Sequence, residues 1–143
     1  MGNLKASVSM ITFNHEKFIA QAIESIMSQQ TSFEFELVIG DDGSTDNTRV
    51  ICEQYQKQFG NKIRLIFNDK NIGSVNNFLQ NIYSCDGDFI AICDGDDFWT
   101  DNSKLQKQVS FLDSHSDFSF CFTNVRSVDS NGKQIKPFTQ IYY

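Results

Sequence analysis

Two hydrophobic periods alternate along the chain. Ala6 to Phe13 is apolar and β-branched and reads as a first strand. From Lys17 to Gln30, Ile19, Ala22, Ile23, Ile26 and Met27 recur at i, i+3, i+4, i+7 and i+8, which is one face of a helix, with Asn14 placed to cap it. Phe35 to Gly40 predicts a second strand. The polar turn from Asp41 to Thr48 runs into a helix that carries Ile51, Tyr55 and Phe59 inward and ends at Gly60-Asn61. Lys62 to Phe67 is a third strand and Asn68 to Gly73 a polar loop. Val75, Phe78, Leu79, Ile82 and Tyr83 repeat the helical spacing. After an Asp86-Gly87 turn, Asp88 to Cys93 is nearly all apolar, which predicts a fourth strand in a central position. Leu105, Val109 and Leu112 mark another helix. Phe118, Phe120 and Phe122 alternate with Ser119, Cys121 and Thr123, as in a half-buried strand. Ser130-Asn131-Gly132-Lys133 predicts a hairpin turn into a last strand.

Strand–helix alternation of this kind predicts a three-layer α/β/α domain with a mainly parallel central sheet and right-handed crossovers. The length of 143 residues suits a single domain, 1–143, that needs no disulfide or metal to hold its core. With 40% hydrophobic and 21% charged residues, the composition argues against disorder. The net charge of −6 and the lack of a basic stripe argue against nucleic acid as a partner, and any phosphorylated ligand would need a cation between it and the protein. The longest apolar run, Phe89 to Cys93, is too short to span a bilayer, and Met1 to Lys5 has no signal-peptide core, so a cytoplasmic protein without a transmembrane segment is expected. Cys52, Cys85, Cys93 and Cys121 form no C-x-x-C pair, and His15 and His115 stand apart from them. Reduced, buried thiols are therefore expected rather than a zinc site.

In a parallel sheet, ligands bind beyond the carboxyl ends of the strands. Those ends carry Thr12, Phe13 and Asn14 after strand one, and Asp41 and Asp42 after strand two. Asn68 to Gly73 follow strand three, and Asp94, Asp96 and Asp97 follow strand four. Clustered carboxylates repel one another, so stability alone would not collect them; a hard divalent cation, Mg²⁺ or Mn²⁺, makes the arrangement favourable. Ser44, Thr45 or Asp46 can cap the helix that follows, which leaves Asp41 and Asp42 to be explained. A carboxylate there can accept from a nucleobase N–H. Phe13 is either core or a ring offered to a base. Gly73 suits a positive φ ahead of a Ser74 cap, or backbone N–H groups and Lys70 beside a diphosphate. His15 is expected to be exposed in the first helical turn.

Val8 to Asn14, Leu37 to Asp46, Asn71-Ile72-Gly73 and Ile92 to Trp99 occur in that order, and the chain thereby resembles the nucleotide-sugar-binding portion of a family 2 glycosyltransferase of the GT-A, Rossmann-like fold. The resemblance runs from about Ala6 to Val125. It implies metal-dependent transfer of a sugar from a nucleoside-diphosphate donor to a hydroxyl acceptor, in glycan or polysaccharide synthesis. Thr12, Phe13 and Asn14 would line the base pocket and Asp42 would bond the base. Asp94 would face ribose or metal, Asp96 would be the main metal ligand, and Lys70 and Gly73 would lie near the diphosphate. The family's general base is expected beyond Tyr143, so the chain reads as a donor-binding portion with its C-terminal part truncated. A non-catalytic nucleotide-sugar-binding fragment is the alternative. Peripheral association with the inner face of a membrane and a homodimer, formed through the apolar Ile141-Tyr142-Tyr143 tail, are both compatible with this reading.

Three features depart from the usual family pattern: Ile11-Thr12-Phe13 where Pro-Thr-Tyr is common, no proline between Trp99 and Lys104, and an end at Tyr143. Other acidic folds fit less well. A dehalogenase-type phosphatase places its Asp-x-Asp after the first strand, as a receiver domain does its acidic pair. A calcium loop starting at Asp94 would need Gly and Glu where Trp99 and Leu105 stand, and a dinucleotide fold needs glycines that Ile11 to Phe18 lacks.

Overall fold

Four of the apolar segments pair side by side into one parallel sheet. The structure, a computed structural model, describes residues 4–129 and 132–135. Strands β1 (Leu4–Thr12), β2 (Glu34–Asp41), β3 (Ile63–Phe67) and β4 (Phe89–Ile92) lie in the order β3-β2-β1-β4, all parallel. Helices α1 (Ile19–Met27), α2 (Thr48–Phe59), α3 (Ser74–Tyr83) and α4 (Lys104–Ser114) connect and flank them. Val8, Met10, Leu37 and Ile39 face one side, where they form a continuous core with Ile19, Ile23 and Ile26 of α1, Cys52 of α2, and Leu105 and Val109 of α4. Each such side chain, fully withdrawn from water, contributes about 1.5–3 kcal/mol.

The opposite face is held differently. Ser7 and Ser9 alternate with the apolar residues of β1, and both are buried. α3 meets this face with Asn77 and Asn81, which are 1% and 0% exposed. Asn77 Nδ2 donates to the Gly40 carbonyl at 2.8 Å, and Asn81 Nδ2 to Ser9 Oγ at 2.8 Å and the Val38 carbonyl at 3.0 Å. Gly40 permits this approach, because a Cβ there would lie 2.8 Å from Asn77 Oδ1. The apolar spacing of α3 does mark a helix, but Val75, Leu79 and Tyr83 are exposed, and the polar pair faces the sheet. At the far end of the same face, Glu36 accepts from Ser7 Oγ at 2.6 Å and pairs with Arg64 Nη1 at 3.0 Å.

Several expectations need correction. β4 is an edge strand among the described residues, paired only with β1; Phe89 and Ala91 turn toward the core while Ile90 and Ile92 are exposed. An apolar run reports what could be buried on both faces, not that two faces are covered. Phe118 to Thr123 forms no strand, and Phe118, Phe120 and Phe122 are exposed, since alternation makes a strand only where a neighbour satisfies its backbone. The α1 helix is shorter than expected. Gln29 leaves it to accept from Leu105 N at 2.9 Å and donate to the Asp101 carbonyl at 2.9 Å, tying α1 to α4. Asn14 does not cap α1 and Ser74 does not cap α3. Ser130, Asn131 and the expected last strand lie outside the described residues. Beside them, a Val128–Gln134 bridge and a bond from Gly132 N to the Asp129 carbonyl mark the turn. The cysteines are free thiols; Cys52 and Cys93 are buried and both pushed up to about 12, chiefly by burial, whereas Cys85 and Cys121 are half-buried. No helix among the described residues is long and apolar enough to cross a membrane.

Candidate functional site

The carboxyl ends of the strands converge on one cleft. Beyond Ile92 the ladder continues, with Cys93 N donating to the Ser9 carbonyl at 3.1 Å and Gly95 N to the Ile11 carbonyl at 2.9 Å. This draws the Asp94–Asp97 turn against the end of β1. Gly95 allows the contact: a Cβ there would sit 2.7 Å from Thr12 Oγ1. The cleft, about 340 Å³, is lined by Ile11, Thr12, Phe13 and His15 from the end of β1, Asp42 after β2, Asn71, Ser74 and Asn77 from α3 and its entry loop, and Asp94 and Asp96 after β4. That volume is within the range of small-molecule sites.

Of the two aspartates after Gly40, one is structural. Asp41 is fully buried, where Oδ2 accepts from Arg49 Nε at 2.5 Å and Ser44 N at 3.1 Å. The same guanidinium donates through Nη2 to the Asn68 carbonyl and lies over the Phe67 ring. Asp42 borders the cleft at 3% exposure and organises its wall. Its Oδ1 accepts from Ile72 N at 2.8 Å and Asn68 Nδ2 at 3.3 Å, and its Oδ2 from Gly73 N at 3.0 Å. Those two backbone N–H groups therefore point at Asp42. Gly73 supplies the positive φ, +91°, that turns the loop into α3.

Asn14, at φ +54°, stitches the Ser44–Thr45 turn to β1: its N–H donates to Ser44 Oγ at 2.9 Å and its Oδ1 accepts from Thr45 N at 2.8 Å. Asp46 accepts from Thr48 N and Thr48 Oγ1 ahead of α2, whose N-cap position is Asn47 rather than one of the expected Ser44, Thr45 or Asp46 and makes no side-chain cap bond. Burial pushes its carboxyl up, but these bonds and one from Glu16 N outweigh it and hold the group below the usual range. Asn14, Lys70 and Gly73 do not line the cleft. Phe13 is 41% exposed and lies outside the core, so the core alternative for this ring falls.

The Asp94–Asp97 turn is electrostatically crowded. Burial first, then the charges of Asp97 and Asp96, raise the Asp94 carboxyl above the usual carboxylate range, although His15 opposes this. Burial and then Asp96 raise Asp97 likewise. Among the described residues no three His, Cys, Asp or Glu side chains converge as a protein-only metal cage. One or two carboxylates completed by substrate phosphates and water is the way Mg²⁺-type ions commonly bind, and the crowded, half-exposed carboxylates fit that mode. His15 is not on the surface of α1 as expected. It precedes the helix, half-buried, with Nδ1 3.2 Å from Thr12 Oγ1.

Asn71, of the Asn71-Ile72-Gly73 segment, and Ser74, the expected cap, also line the cleft, and so does Asn77, to which the sequence pattern assigned no role. The signal was present: Asn77 and Asn81 stand four apart on a helix whose other positions are largely apolar, and a polar pair on one stripe is a face with a task.

Residues 7–141 match the family model described as Glycosyl transferase family 2. The chain is 31% identical over 140 residues to the Escherichia coli UDP-Glc:alpha-D-GlcNAc-diphosphoundecaprenol beta-1,3-glucosyltransferase WfgD, covering 96% of this chain and 53% of that protein. It is 35% identical to an uncharacterized glycosyltransferase of Nostoc sp., alr2836, covering 92% and 40%. The crystal structure of S. aureus TarS in complex with UDP superposes with a TM-score of 0.70 at 30% identity, covering 79% of this chain and 33% of that one. The chain spans about half, or less, of the length of these proteins. The parallel sheet with helices on both faces is the α/β arrangement of the GT-A fold, and the chain belongs to glycosyl transferase family 2.

Proposed function

We propose that the chain binds a nucleoside-diphosphate sugar in the cleft, as the donor-binding part of an enzyme that moves the sugar to a hydroxyl of a glycan or related acceptor. One observation carries this reading: a single cleft gathers an exposed aromatic ring, a buried carboxylate beside a backbone-shaped wall, and a carboxylate-rich turn, contributed by the ends of three strands and by α3. Phe13 offers its face to the base, and Thr12 lies beside it. Asp42 holds the wall, and Oδ2, with one bond made, keeps a lone pair for a base N–H. Asp94 serves ribose or cation, and Asp96 holds a divalent cation, Mn²⁺ or Mg²⁺. When bound, that ion screens the diphosphate and stabilises the leaving group as a Lewis acid. UDP bound to TarS, a family relative in fold and sequence, supports a nucleotide donor.

A thermal-shift panel of UDP, GDP, CDP and ADP, each with and without Mn²⁺, tests the reading. A ligand that binds the folded state raises the melting temperature by mass action. One nucleotide is expected to stabilise the chain strongly, and only with Mn²⁺; no stabilisation by any of them would contradict the proposal. The shift should also depend on pH. Asp94 and Asp97 titrate higher in the folded chain than their ordinary value of 3.8. Without a cation their ionisation therefore opposes folding, and this part of stability falls as pH rises through the raised values. A cation prefers the ionised form, so the Mn²⁺-dependent shift is expected to be larger at about pH 7.5 than at about pH 4.5. Equal shifts would separate these carboxylates from the cation.

Replacing Phe13 by alanine is expected to weaken nucleotide binding by about 1–3 kcal/mol, the usual loss of a ring–base stack. Because the ring is exposed and outside the core, the ligand-free melting temperature should barely move. Calorimetric titration and melting of the same variant read both quantities; unchanged affinity would remove the ring from the base site.

A further inference from the structure

We infer that His15 supplies an imidazole ligand, through Nε2, to the divalent cation that Asp96 holds; this rests on the proposed cation–diphosphate reading and goes beyond it. The ring is positioned rather than free. The backbone of His15 is pinned on both sides: its N–H donates to Thr48 Oγ1 at 2.9 Å, and its carbonyl accepts from Phe18 N and Ile19 N, both at 2.9 Å. The ring is fixed by a contact between Nδ1 and Thr12 Oγ1 at 3.2 Å. Gly95 packs against this same contact, since a Cβ there would stand 2.7 Å from Thr12 Oγ1 and 3.1 Å from Nδ1. Thr12 Oγ1 can accept from Nδ1–H, and in that tautomer Nε2 carries the lone pair that ligates metals.

That Nε2 lies 3.9 Å from Asp96 Oδ2. The separation is too long for a hydrogen bond, so the pair is not spent on each other. It is within the span of two ligands on one ion, each of which binds at roughly 2.0–2.2 Å. Asp96, with a side chain 53% exposed, has room to close the remaining distance, while the ring, at 26%, is the more enclosed partner. A nitrogen donor also selects among cations: imidazole suits transition metals, whereas Mg²⁺ prefers oxygen. The chain is therefore expected to favour Mn²⁺ over Mg²⁺.

Nitrogen ligation has a spectroscopic signature. Protein labelled with ¹⁵N-histidine, loaded with Mn²⁺ and UDP or GDP, is examined by pulsed electron paramagnetic resonance. His15 and His115 are the two histidines of the chain, and His115 stacks on Phe111 outside the cleft. Histidine nitrogen coupling to Mn²⁺ is expected in the unaltered chain and in His115→Gln, and is lost in His15→Gln, where Mn²⁺ affinity in the presence of the nucleotide also falls at least about 10-fold. Bound Mn²⁺ without histidine coupling in the unaltered chain would overturn the His15 assignment and leave the cation reading standing. So would unchanged Mn²⁺ affinity in His15→Gln alongside weakened nucleotide binding, which would make the ring a diphosphate contact. Failure of Mn²⁺ to bind with any of UDP, GDP, CDP and ADP would overturn both.

Discussion

Replacing Arg49 by alanine is expected to destabilise the chain by about 3–5 kcal/mol, the cost of stranding one member of a buried ion pair. Asp41 is fully buried at the end of β2, and its Oδ1 has no hydrogen-bond partner. Oδ2 has the Arg49 guanidinium and the Ser44 N–H. Without Arg49, a buried carboxylate at the end of β2 keeps one neutral donor. Asn68, whose carbonyl also accepts from Arg49, loses its tie to α2, and Asn68 opens the loop that walls the cleft. A double-mutant cycle with Asp41→Asn isolates the pair: the double variant should recover part of the loss, because the stranded charge is gone. Lysine at position 49 should restore little, since one ammonium cannot reproduce the fork that reaches both partners. Denaturant unfolding of the four proteins provides the values, and a cost below about 1 kcal/mol for Arg49→Ala would show that Asp41 finds other partners.

The second large effect concerns binding rather than stability. Asp96→Ala is expected to abolish Mn²⁺-dependent nucleotide stabilisation while leaving the ligand-free melting temperature unchanged or slightly higher. The side chain is half-exposed, and it stands among Asp94 and Asp97, whose carboxyls it pushes upward. Removing it relieves repulsion and breaks no hydrogen bond that supports the fold. A large loss of ligand-free stability would instead make Asp96 a structural residue.

The alternation of periods made the sheet and its loops legible, and with them the position of Asp42, Asp94 and Asp96 at the ends of strands. The hydrophobic pattern could not tell which apolar surfaces the chain would cover. Ile90 and Ile92 read as interior residues because isoleucine in a strand generally is, yet their face of β4 has no neighbour among the described residues. On α3 the pattern misled more deeply. Its apolar residues keep helical spacing, but the sheet beneath presents Ser7, Ser9 and Gly40, and only a polar helix face can satisfy them. The division of labour between Asp41 and Asp42 was hidden for a related reason. Both sit after the same strand, and which one turns inward depends on an arginine eight residues along α2. His15 looked like a solvent-facing residue because the helix was expected to begin at Lys17. It begins at Ile19, and the turn before it bends the ring into the cleft.

The most direct measurement of the central claim is a crystal structure of the chain with the nucleoside diphosphate chosen by the thermal-shift panel and Mn²⁺. The account predicts the base against Phe13 and Thr12, with Asp42 at its edge, and the cation on Asp96 beside the diphosphate. A nucleotide bound elsewhere, such as in the groove between Phe111 and Phe122, or one bound in the cleft with no cation on Asp96, would contradict it.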